Sequence, residues 1–364
     1  MQEKINTKIL MTGGHAATTA IATIKEIKEK YPDWELIWVG PESAVEGKVV
    51  PTLASKVMPK LGVKFIPITT GRLQRQFTIW TIPSLLKIPF GVISAFEIIL
   101  KNKPEVVVSF GGYASFPICM AAKALNIPVI IHEQTSAAGL ANKMVAKFAT
   151  KIAIARETSK KYFPTTKTVL VGNPVRKEFL KVKPKKQISK TPVIYVTGGS
   201  SGAQVINSII FESLPDLLDK YYVIHQTGKL DFDKAREIKS DNYEVHEFID
   251  EKEIIEVFEK ADLIIGRAGA NTVSEILISR RPAILIPIPW VQNDEQTKNA
   301  KLVEEAGIGL IIKQKDLGKD LLLEKIEFIL KNWKKITDSP ESQIAKLDKE
   351  AANRFVEEIS KLLK

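Results

Sequence analysis

Short runs of β-branched and other apolar residues alternate with helix-forming stretches along almost the whole chain, and this alternation limits the fold more than any other feature. Such an alternation is typical of a parallel sheet covered by helices. The predicted strands of the first half are 8–12, 35–39, 64–68, 106–109, 129–132, 151–154 and 168–171. Those of the second half are 193–197, 222–226, 243–247, 263–266, 283–286 and 309–312.

The intervening helical patterns include 16–30, 115–125 and 138–148, and a lysine- and proline-rich connector over 172–192 separates the two series. The sequence therefore predicts an α/β chain with two doubly wound, Rossmann-like domains facing a cleft. We expect an N-terminal domain over 1–171 and a C-terminal domain over 172–342. An amphipathic helix over about 343–364 is expected to pack back on the N-terminal domain.

The composition excludes several classes of protein. Of the 364 residues, 45% are hydrophobic, which is too many for a disordered chain. The longest apolar run, 88–100, is too short to span a bilayer, and the single cysteine, Cys119, excludes an internal disulfide. These features favour a cytoplasmic location. The net charge of +11 fits a phosphorylated substrate or an anionic membrane, and without a basic recognition element we expect no nucleic-acid partner.

Three glycine pairs, Gly13-Gly14, Gly111-Gly112 and Gly198-Gly199, each follow a predicted strand and precede a helical pattern. Glycine allows close approach of the backbone to a ligand, and the free N–H groups of a helix N-terminus favour phosphate. Each pair alone fits a tight turn that binds nothing, but three equivalent positions favour a diphosphate ligand. Their spacing is not that of a phosphate-binding loop or of a dinucleotide fingerprint, which disfavours kinases, ATPases and dehydrogenases.

Glu275 lies about one turn into a helical pattern that follows the strand 263–266. A carboxylate at this position can accept two hydrogen bonds from a ribose diol. An exposed acidic residue near a helix N-terminus, stabilised by the helix dipole, is an equally good interpretation of this residue alone.

The ordered series of motifs resembles the MurG family, the peptidoglycan N-acetylglucosaminyltransferases. The matching motifs are Thr-Gly-Gly-His at 12–15, Gly-Gly-Tyr at 111–113, His-Glu-Gln at 132–134, Ala-Gly-Leu-Ala-Asn-Lys at 138–143, Gly-Asn-Pro-Val-Arg at 172–176, Gly-Gly-Ser-Ser-Gly-Ala at 198–203, His-Gln-Thr-Gly-Lys at 225–229, Phe-Ile-Asp at 248–250, Arg-Ala-Gly-Ala-Asn-Thr-Val-Ser-Glu at 267–275, and Gln296 with Asn299-Ala300. They cover residues 8 to about 312, and the ordered set is far more specific than any one motif.

The resemblance implies a GT-B architecture and metal-independent, inverting transfer of N-acetylglucosamine from UDP-N-acetylglucosamine to undecaprenyl-diphospho-muramoyl-pentapeptide, with no cofactor. Carried over by position, the donor-binding residues are Thr12, Gly13, Gly14, Thr135, Arg176, Ser200, Ile249, Ala270, Asn271, Thr272, Val273, Ser274, Glu275 and Gln296. Gly111, Gly112 and Tyr113 form the implied acceptor-side loop. In these roles Arg176 and Ser200 contact the diphosphate, Ile249 holds the uracil through its backbone, and Glu275 takes the ribose.

Three departures from the family pattern affect these expectations. Leu10 and Met11 stand where the family usually has Gly-Gly, and Thr135 replaces an asparagine whose amide carries two donors. Glu295 precedes Gln296 where Gln or His is common, which adds negative charge beside the sugar. The first two departures concern acceptor binding and catalysis, whereas the remaining donor-binding positions match the family.

His15 is the candidate general base, because it follows the first glycine pair and its ordinary pKa suits proton removal near neutral pH. The alternative is a histidine that caps the loop. The other histidines, His132, His225 and His246, lie at strand ends, where we expect them to orient loops. Asp231-Phe232-Asp233 could hold a metal with a diphosphate, but its position favours the capped start of a helix.

The segment 72–90 mixes apolar, aromatic and basic residues in a way that suits an anionic membrane interface. Its membrane candidates are Arg72, Arg75, Phe77, Trp80 and Lys87. The alternative is an ordinary loop and helix packed on the sheet. We expect a peripheral enzyme on the cytoplasmic face of the inner membrane. Other open interpretations are a transferase with a different lipid acceptor, an epimerase of the UDP-N-acetylglucosamine 2-epimerase type, and an inactive UDP-sugar sensor.

Overall fold

The computed structural model describes residues 7–14, 17–43, 51–71, 81–199, 202–250 and 253–363, apart from the side chains of 17, 81–87 and 292. The chain divides into two compact units, Met1–Arg176 with Glu350–Lys364, and Lys177–Lys349. Residues 172–176, which the sequence assigned to the second domain, therefore belong to the first unit.

The first unit contains a parallel sheet of seven strands among its described residues, in the order β3-β2-β1-β4-β5-β6-β7. The strands are β1 (Lys8–Thr12), β2 (Glu35–Gly40), β3 (Lys64–Pro67), β4 (Val106–Ser109), β5 (Val129–Glu133), β6 (Lys151–Ile154) and β7 (Thr168–Leu170). The order of strands reverses between β1 and β4, which are hydrogen-bonded neighbours. Ligands of such sheets bind beyond the carboxyl ends of the strands at this switch point.

The central strands of this sheet are continuous apolar runs, so both of their faces must be buried. Helices cover the two faces and form an apolar layer on each. The helices of the first half of the chain are α1 (Ala17–Lys30), α2 (Leu53–Val57), α3 (Thr81–Asn102), α4 (Ser115–Ala124) and α5 (Leu140–Val145). Short 3₁₀ helices lie at Pro59–Leu61, Glu157–Tyr162 and Thr165–Lys167.

The second unit repeats the plan with six parallel strands among its described residues, in the order β10-β9-β8-β11-β12-β13. The strands are β8 (Val193–Thr197), β9 (Tyr222–Gln226), β10 (Tyr243–His246), β11 (Leu263–Gly266), β12 (Ala283–Leu285) and β13 (Gly309–Ile311). The helices are α6 (Gln204–Leu218), α7 (Lys229–Arg236), α8 (Glu253–Lys260), α9 (Ala270–Ser279), α10 (Glu295–Glu305), α11 (Lys319–Lys331), α12 (Trp333–Thr337) and α13 (Gln343–Lys349). Short 3₁₀ helices lie at Lys177–Lys181, Gln292–Asp294 and Gln314–Asp316.

Two apolar layers flank the second sheet and separate its helices into two groups. Helices α8, α9, α10 and α13 contribute to one layer. Helices α6 and α11 contribute to the other. The switch point lies between β8 and β11, so the loops that follow these two strands meet at the same edge.

The C-terminal segment differs from the single helix expected over 343–364. It forms α13 and then α14 (Ala351–Ser360), with the break at Glu350. Helix α13 packs on α9 through the fully buried Ala345, whereas α14 packs on α1 through Phe355 and Ile359, which are also fully buried. One amphipathic pattern therefore serves two separate cores, and the helix breaks where the chain passes from one to the other.

All predicted strands are present, with ends that differ by no more than one residue from those expected. The helix expected over 138–148 is shorter, because α5 begins only after Gly139, whose N–H donates to the carboxylate of Glu133 at 3.0 Å. A tertiary hydrogen bond thus sets the start of this helix. The fold class predicted from the sequence, two doubly wound α/β domains, is confirmed.

Candidate active site

Several predicted site residues lie outside the residues that the structure describes. They are His15, Ser200, Arg72, Arg75, Phe77 and Trp80, together with the side chain of Lys87. The remaining predicted residues lie at the carboxyl edges of the two sheets or on the helices that begin there.

At the edge of the first sheet, the two glycine loops touch. The N–H of Gly14 donates to the carbonyl of Gly111 at 3.0 Å. A side chain on Gly112 would place its Cβ 2.7 Å from the nitrogen of Gly14, and Gly112 has a φ of +91°. Glycine is therefore required at this position by both space and backbone conformation. Tyr113, the third residue of the predicted acceptor-side loop, is partly buried against the apolar layer that contains Val107 and Ile131.

Glu133 organises the loop that follows β5, although its sequence motif indicates no separate role for it. Its Oε1 accepts from the N–H of Thr135 at 3.0 Å and from the hydroxyl of Thr135 at 2.8 Å. Its Oε2 accepts from the N–H of Gly139 at 3.0 Å and from Nδ2 of Asn142 at 2.9 Å. A buried carboxylate with four donors is well compensated, so this residue fixes the loop rather than serving as a free acid.

Thr135, one of the predicted donor-binding residues, is itself buried, and its hydroxyl also contacts the carbonyl of Ala137. The single hydroxyl proton is therefore used inside the loop, and only the oxygen lone pairs remain for a ligand. Thr12 is fully buried at the end of β1, and its hydroxyl has no hydrogen-bond partner within the described part of the chain. Arg176 is partly buried and ends the N-terminal segment of the first unit.

At the edge of the second sheet, Gln226 links two loops that the sequence motifs treat separately. Its Nε2 donates to the carbonyl of Gly199 at 2.9 Å, and its Oε1 accepts from the N–H of Ile249 at 3.2 Å. Ile249 is the residue expected to hold the uracil through its backbone. Because its N–H already has a protein acceptor, a base that accepts from this N–H must share it with Gln226 or displace that side chain.

Helix α9 begins at Ala270 directly after β11 and presents its N-terminal N–H groups at the switch point of the second sheet. The residue at its N-cap, Gly269, supplies no side-chain bond, so the first N–H groups have no capping side chain. Ser274 is fully buried and donates to the carbonyl of Ala270 at 3.1 Å, which ties it to its own helix. Glu275 is only 6% exposed, so the alternative of a solvent-exposed carboxylate is wrong.

The other predicted residues of this helix, Asn271, Thr272 and Val273, occupy its first turn. Asn271 and Thr272 are partly buried, and Val273 is a core residue. Gln296 lies in the first turn of α10, and its Oε1 accepts from the N–H of Ile288, on the loop that follows β12, at 3.0 Å. Contacts of Gln296 with sugar hydroxyls can therefore come from its Nε2 donors or from the second lone pair of Oε1.

The histidines at the strand ends form internal hydrogen bonds. His132 Nε2 lies 3.0 Å from the carbonyl of Gly172, which joins the end of β5 to the connector. His225 is fully buried between the hydroxyl of Tyr243 at 2.9 Å and Oδ1 of Asn207 at 3.1 Å, and burial lowers its pKa to about 3. The ring of His225 is therefore neutral at physiological pH.

Known protein families match residues in both units. The profile of the glycosyltransferase family 28 N-terminal domain matches residues 10–154, and that of the C-terminal domain matches residues 193–359. A protein of Bacillus cytotoxicus is 33% identical over 97% of this chain and 97% of its own length. It is named UDP-N-acetylglucosamine–N-acetylmuramyl-(pentapeptide) pyrophosphoryl-undecaprenol N-acetylglucosamine transferase.

This chain belongs to glycosyltransferase family 28.

Proteins of the same name from Clostridium botulinum and Pediococcus pentosaceus are 32% and 33% identical over 89% of this family 28 chain. They are covered over 91% and 89% of their own lengths. The family resemblance inferred from the sequence motifs is confirmed, and the chain is a glycosyltransferase.

Solved structures show how widely the fold of this family 28 enzyme is shared. The crystal structure of Acinetobacter baumannii MurG is similar with a TM-score of 0.73 at 24% identity, over 98% of this chain and 99% of that one. The UDP-GlcNAc 2-epimerase of Neisseria meningitidis is similar with a TM-score of 0.64 at 14% identity, over 98% of this chain and 100% of that one. At these identities the likeness establishes the fold alone.

Proposed function

We propose that this chain transfers N-acetylglucosamine from UDP-N-acetylglucosamine to the muramoyl sugar of undecaprenyl-diphospho-muramoyl-pentapeptide, with inversion and without a metal ion. The observation that carries the proposal is the similarity over 97% of the chain to a transferase named for that donor and acceptor. The two family profiles match residues 10–154 and 193–359, which lie in both sheets.

The donor half of the proposal is supported by the edge of the second sheet. The N–H groups at the start of α9, which have no side-chain cap, suit the negative charge of a diphosphate. The carboxylate of Glu275, on the same helix, suits a ribose diol. Gln226 holds the loops of Gly199 and Ile249 together, so that the uracil and phosphate positions are fixed relative to each other.

In the proposed reaction a hydroxyl oxygen of the muramoyl sugar attacks the anomeric carbon of N-acetylglucosamine. The bond from that carbon to the β-phosphate oxygen breaks, and UDP leaves with the bonding electron pair. The proton of the hydroxyl passes to His15. The N-terminus of α9 and Arg176 stabilise the charge that develops on the diphosphate.

The proposal places the enzyme at the cytoplasmic face of an anionic membrane, because its acceptor is lipid-linked. No helix within the described ranges has both the length and the apolar character needed to cross a bilayer. Helix α3 nevertheless exposes Phe90 (69%), Ile93 (57%) and Leu100 (57%), which lie on one face by their helical spacing. Exposed apolar side chains that follow the basic segment 72–87 in sequence fit interfacial insertion.

The test is a transfer assay with the full-length chain and a panel of UDP-sugars and lipid acceptors. We expect a disaccharide product only when UDP-N-acetylglucosamine and the muramoyl-pentapeptide lipid are both present. UDP-N-acetylglucosamine alone should remain unchanged. Conversion of the donor to its 2-epimer without acceptor would instead favour the epimerase that shares this fold. Equal transfer to an unrelated polyisoprenoid acceptor would overturn the proposed substrate.

A further inference from the structure

A pocket of about 260 Å³ lies at the carboxyl edge of the second sheet, and none of the predicted donor-binding residues that the structure describes lines it. Its walls come from the start of α6, the β9–α7 connection and the loops after β11 and β12. The residues that matter here are Gln204, Thr227, Leu230, Asp231, Arg267 and Trp290. The pocket adjoins α6 and α7, whereas Glu275 lies on α9, in the opposite apolar layer.

The carboxylate of Asp231 is held in this pocket by a chain of buried hydrogen bonds. Its Oδ2 accepts from Nδ2 of Asn207 at 2.6 Å, and the same amide group donates to the carbonyl of Thr227 at 2.8 Å. Oδ1 of Asn207 lies 3.1 Å from Nε2 of His225, whose Nδ1 lies 2.9 Å from the hydroxyl of Tyr243. Neutral His225 carries one ring proton. Oδ1 of Asn207 can only accept, so this proton is on Nε2, and Nδ1 accepts from the hydroxyl of Tyr243. The direction of every hydrogen bond in the chain is therefore fixed.

Arg267 supplies a hydrogen-bond donor to the pocket, where Asp231 supplies the acceptor. Its side chain is only 9% exposed, and one terminal nitrogen donates to the carbonyl of Ile286 at 2.9 Å. Its Nε has no hydrogen-bond partner within the described ranges. An unpaired buried donor of this kind is costly, and a ligand acceptor that reached Nε would remove this cost.

The mouth of the pocket is apolar. Leu230 is 75% exposed and Trp290 is 70% exposed, and both line the opening. Both are large apolar side chains that line the same pocket, and an exposed aromatic ring is a common anchor for a ligand.

We propose that this pocket binds the peptide of the muramoyl-pentapeptide acceptor, with a peptide amide between Asp231 and Arg267. An amide offers one N–H donor for the carboxylate and one carbonyl acceptor for Nε, which is the pairing that the two side chains require. The small apolar side chains of the peptide pack on Leu230 and Trp290. This inference rests on the proposed function, because that function supplies the peptide-bearing acceptor.

The charge of the pocket argues against a phosphate ligand. Asp231 and Arg267 together are neutral, and the fixed carboxylate would repel a diphosphate. The acetamido group of the donor is also an amide, and the experiment below separates it from the peptide. The acceptor's peptide has several amides in series and enough length to span the pocket and its apolar mouth.

The experiment compares full-length Asp231→Ala and Trp290→Ala with the wild type in steady-state transfer assays. Their matched controls are Asp233→Ala, an exposed carboxylate on the same helix that pairs with Arg236, and Phe328→Ala, an exposed aromatic on α11. Each pocket variant should raise KM for the pentapeptide acceptor by about tenfold or more, the cost of one hydrogen bond to a charged group or of one aromatic anchor. KM for UDP-N-acetylglucosamine and the Kd for UDP should stay within about twofold of the wild type, the size of a minor hydrogen-bond perturbation.

A second acceptor that carries the muramoyl sugar without its peptide separates the possible sources of the amide. With this acceptor the penalties of both pocket variants should disappear. Undiminished penalties would overturn the assignment to the peptide, as would a raised KM for the donor or unchanged kinetics in both variants. Absence of transfer by the wild type to either acceptor would instead remove the proposed function, and this inference with it. Thermal melts of the exposed Trp290→Ala variant confirm that folding is intact.

Discussion

Glu275 is the sixth residue of α9, and only 6% of its surface is exposed. The helix begins at the switch point of the second sheet. Burial of a carboxylate is unfavourable unless it is hydrogen-bonded, so a surface role that merely stabilises the helix dipole does not account for this position. At the scale of single residues, burial and hydrogen-bond partners therefore separate functional candidates from structural residues. Ser274, the neighbour of Glu275, is structural by this criterion, because its hydroxyl donates to the carbonyl of Ala270.

We predict that Glu275→Ala weakens UDP binding by about 1.5–3 kcal/mol, the range for hydrogen bonds to a charged group. Calorimetric titration of the full-length protein with UDP measures this change. Ser274→Ala is the matched control, because its hydroxyl is used by the carbonyl of Ala270. Equal and small effects of the two substitutions would show that Glu275 has no contact with the nucleotide.

His15→Ala should lower turnover by roughly 10²–10⁴-fold, the usual contribution of a general base, while the affinity for UDP changes little. Single-turnover transfer rates with saturating donor and acceptor give the measurement. EDTA should leave the wild type active. A mutant rate close to that of the wild type would assign His15 to loop capping, and loss of activity in EDTA would contradict the metal-free mechanism.

His225 should make the stability of the second unit depend on pH. Burial holds its folded-state pKa at about 3, whereas a histidine in the unfolded chain titrates near 6.5. The unfolded state therefore gains a proton first, and stability is lost as pH falls from about 6.5 towards 3, by at most about 1.4 kcal/mol per pH unit. Urea unfolding at several pH values should show a shallower dependence for His225→Gln. Identical slopes would mean that His225 is not buried in neutral form.

At the scale of secondary-structure elements, helix α14 is the clearest case of a segment whose role depends on its partner. It follows the second unit in sequence but belongs to the first, where it packs on α1. Phe355, Val356 and Ile359 are all fully buried in that contact. The first unit is therefore completed by residues that follow the whole second unit in sequence.

Phe355→Ala should lower the free energy of unfolding of the first unit by about 3–5 kcal/mol, because it removes a fully buried aromatic ring and leaves a cavity. Chemical unfolding monitored by tryptophan fluorescence measures the loss. Glu357→Ala, an exposed position on the same helix, should change stability by less than about 0.5 kcal/mol. A small loss for Phe355→Ala would mean that α14 is not part of the folding core.

At the scale of the whole molecule, the distribution of exposed apolar and basic residues bears on where the enzyme works. Helix α3 exposes Phe90 and Ile93 one turn apart, directly after the basic and aromatic segment that begins at Arg72. We expect such a combination to give reversible binding to an anionic bilayer, since each basic residue adds only about 1 kcal/mol.

The substitutions Phe90→Ser with Ile93→Ser, and separately Arg72→Glu with Arg75→Glu, should each abolish most co-sedimentation with anionic liposomes. Wild-type binding should weaken as salt is raised, because the Debye length shortens. Phe328→Ser, an exposed aromatic on α11, serves as the control and should bind like the wild type. If both double variants sediment normally, the segment and α3 pack within the protein rather than on a membrane.

The amino-acid sequence alone determined the strands, the two-domain α/β class and the family. Strands buried on both faces need continuous apolar runs such as Val106–Ser109, and glycine is required wherever the backbone must pass close to another loop. Both requirements act on neighbouring residues, so they can be recognised in the sequence. They account for the apolar strands and for the glycines of the ordered motifs between residues 12 and 300.

Only the tertiary structure decided which motif residues support the site and which are available to a ligand. The carboxylate of Glu133 accepts hydrogen bonds from donors in its own loop. Gln226 is hydrogen-bonded to both Gly199 and Ile249, which are 50 residues apart in sequence. The unpaired Nε of Arg267 and the fixed carboxylate of Asp231 likewise depend on neighbours that are distant along the chain. Hydrogen-bond satisfaction and burial are properties of the packed chain, which is why no spacing of residues in the sequence could reveal them.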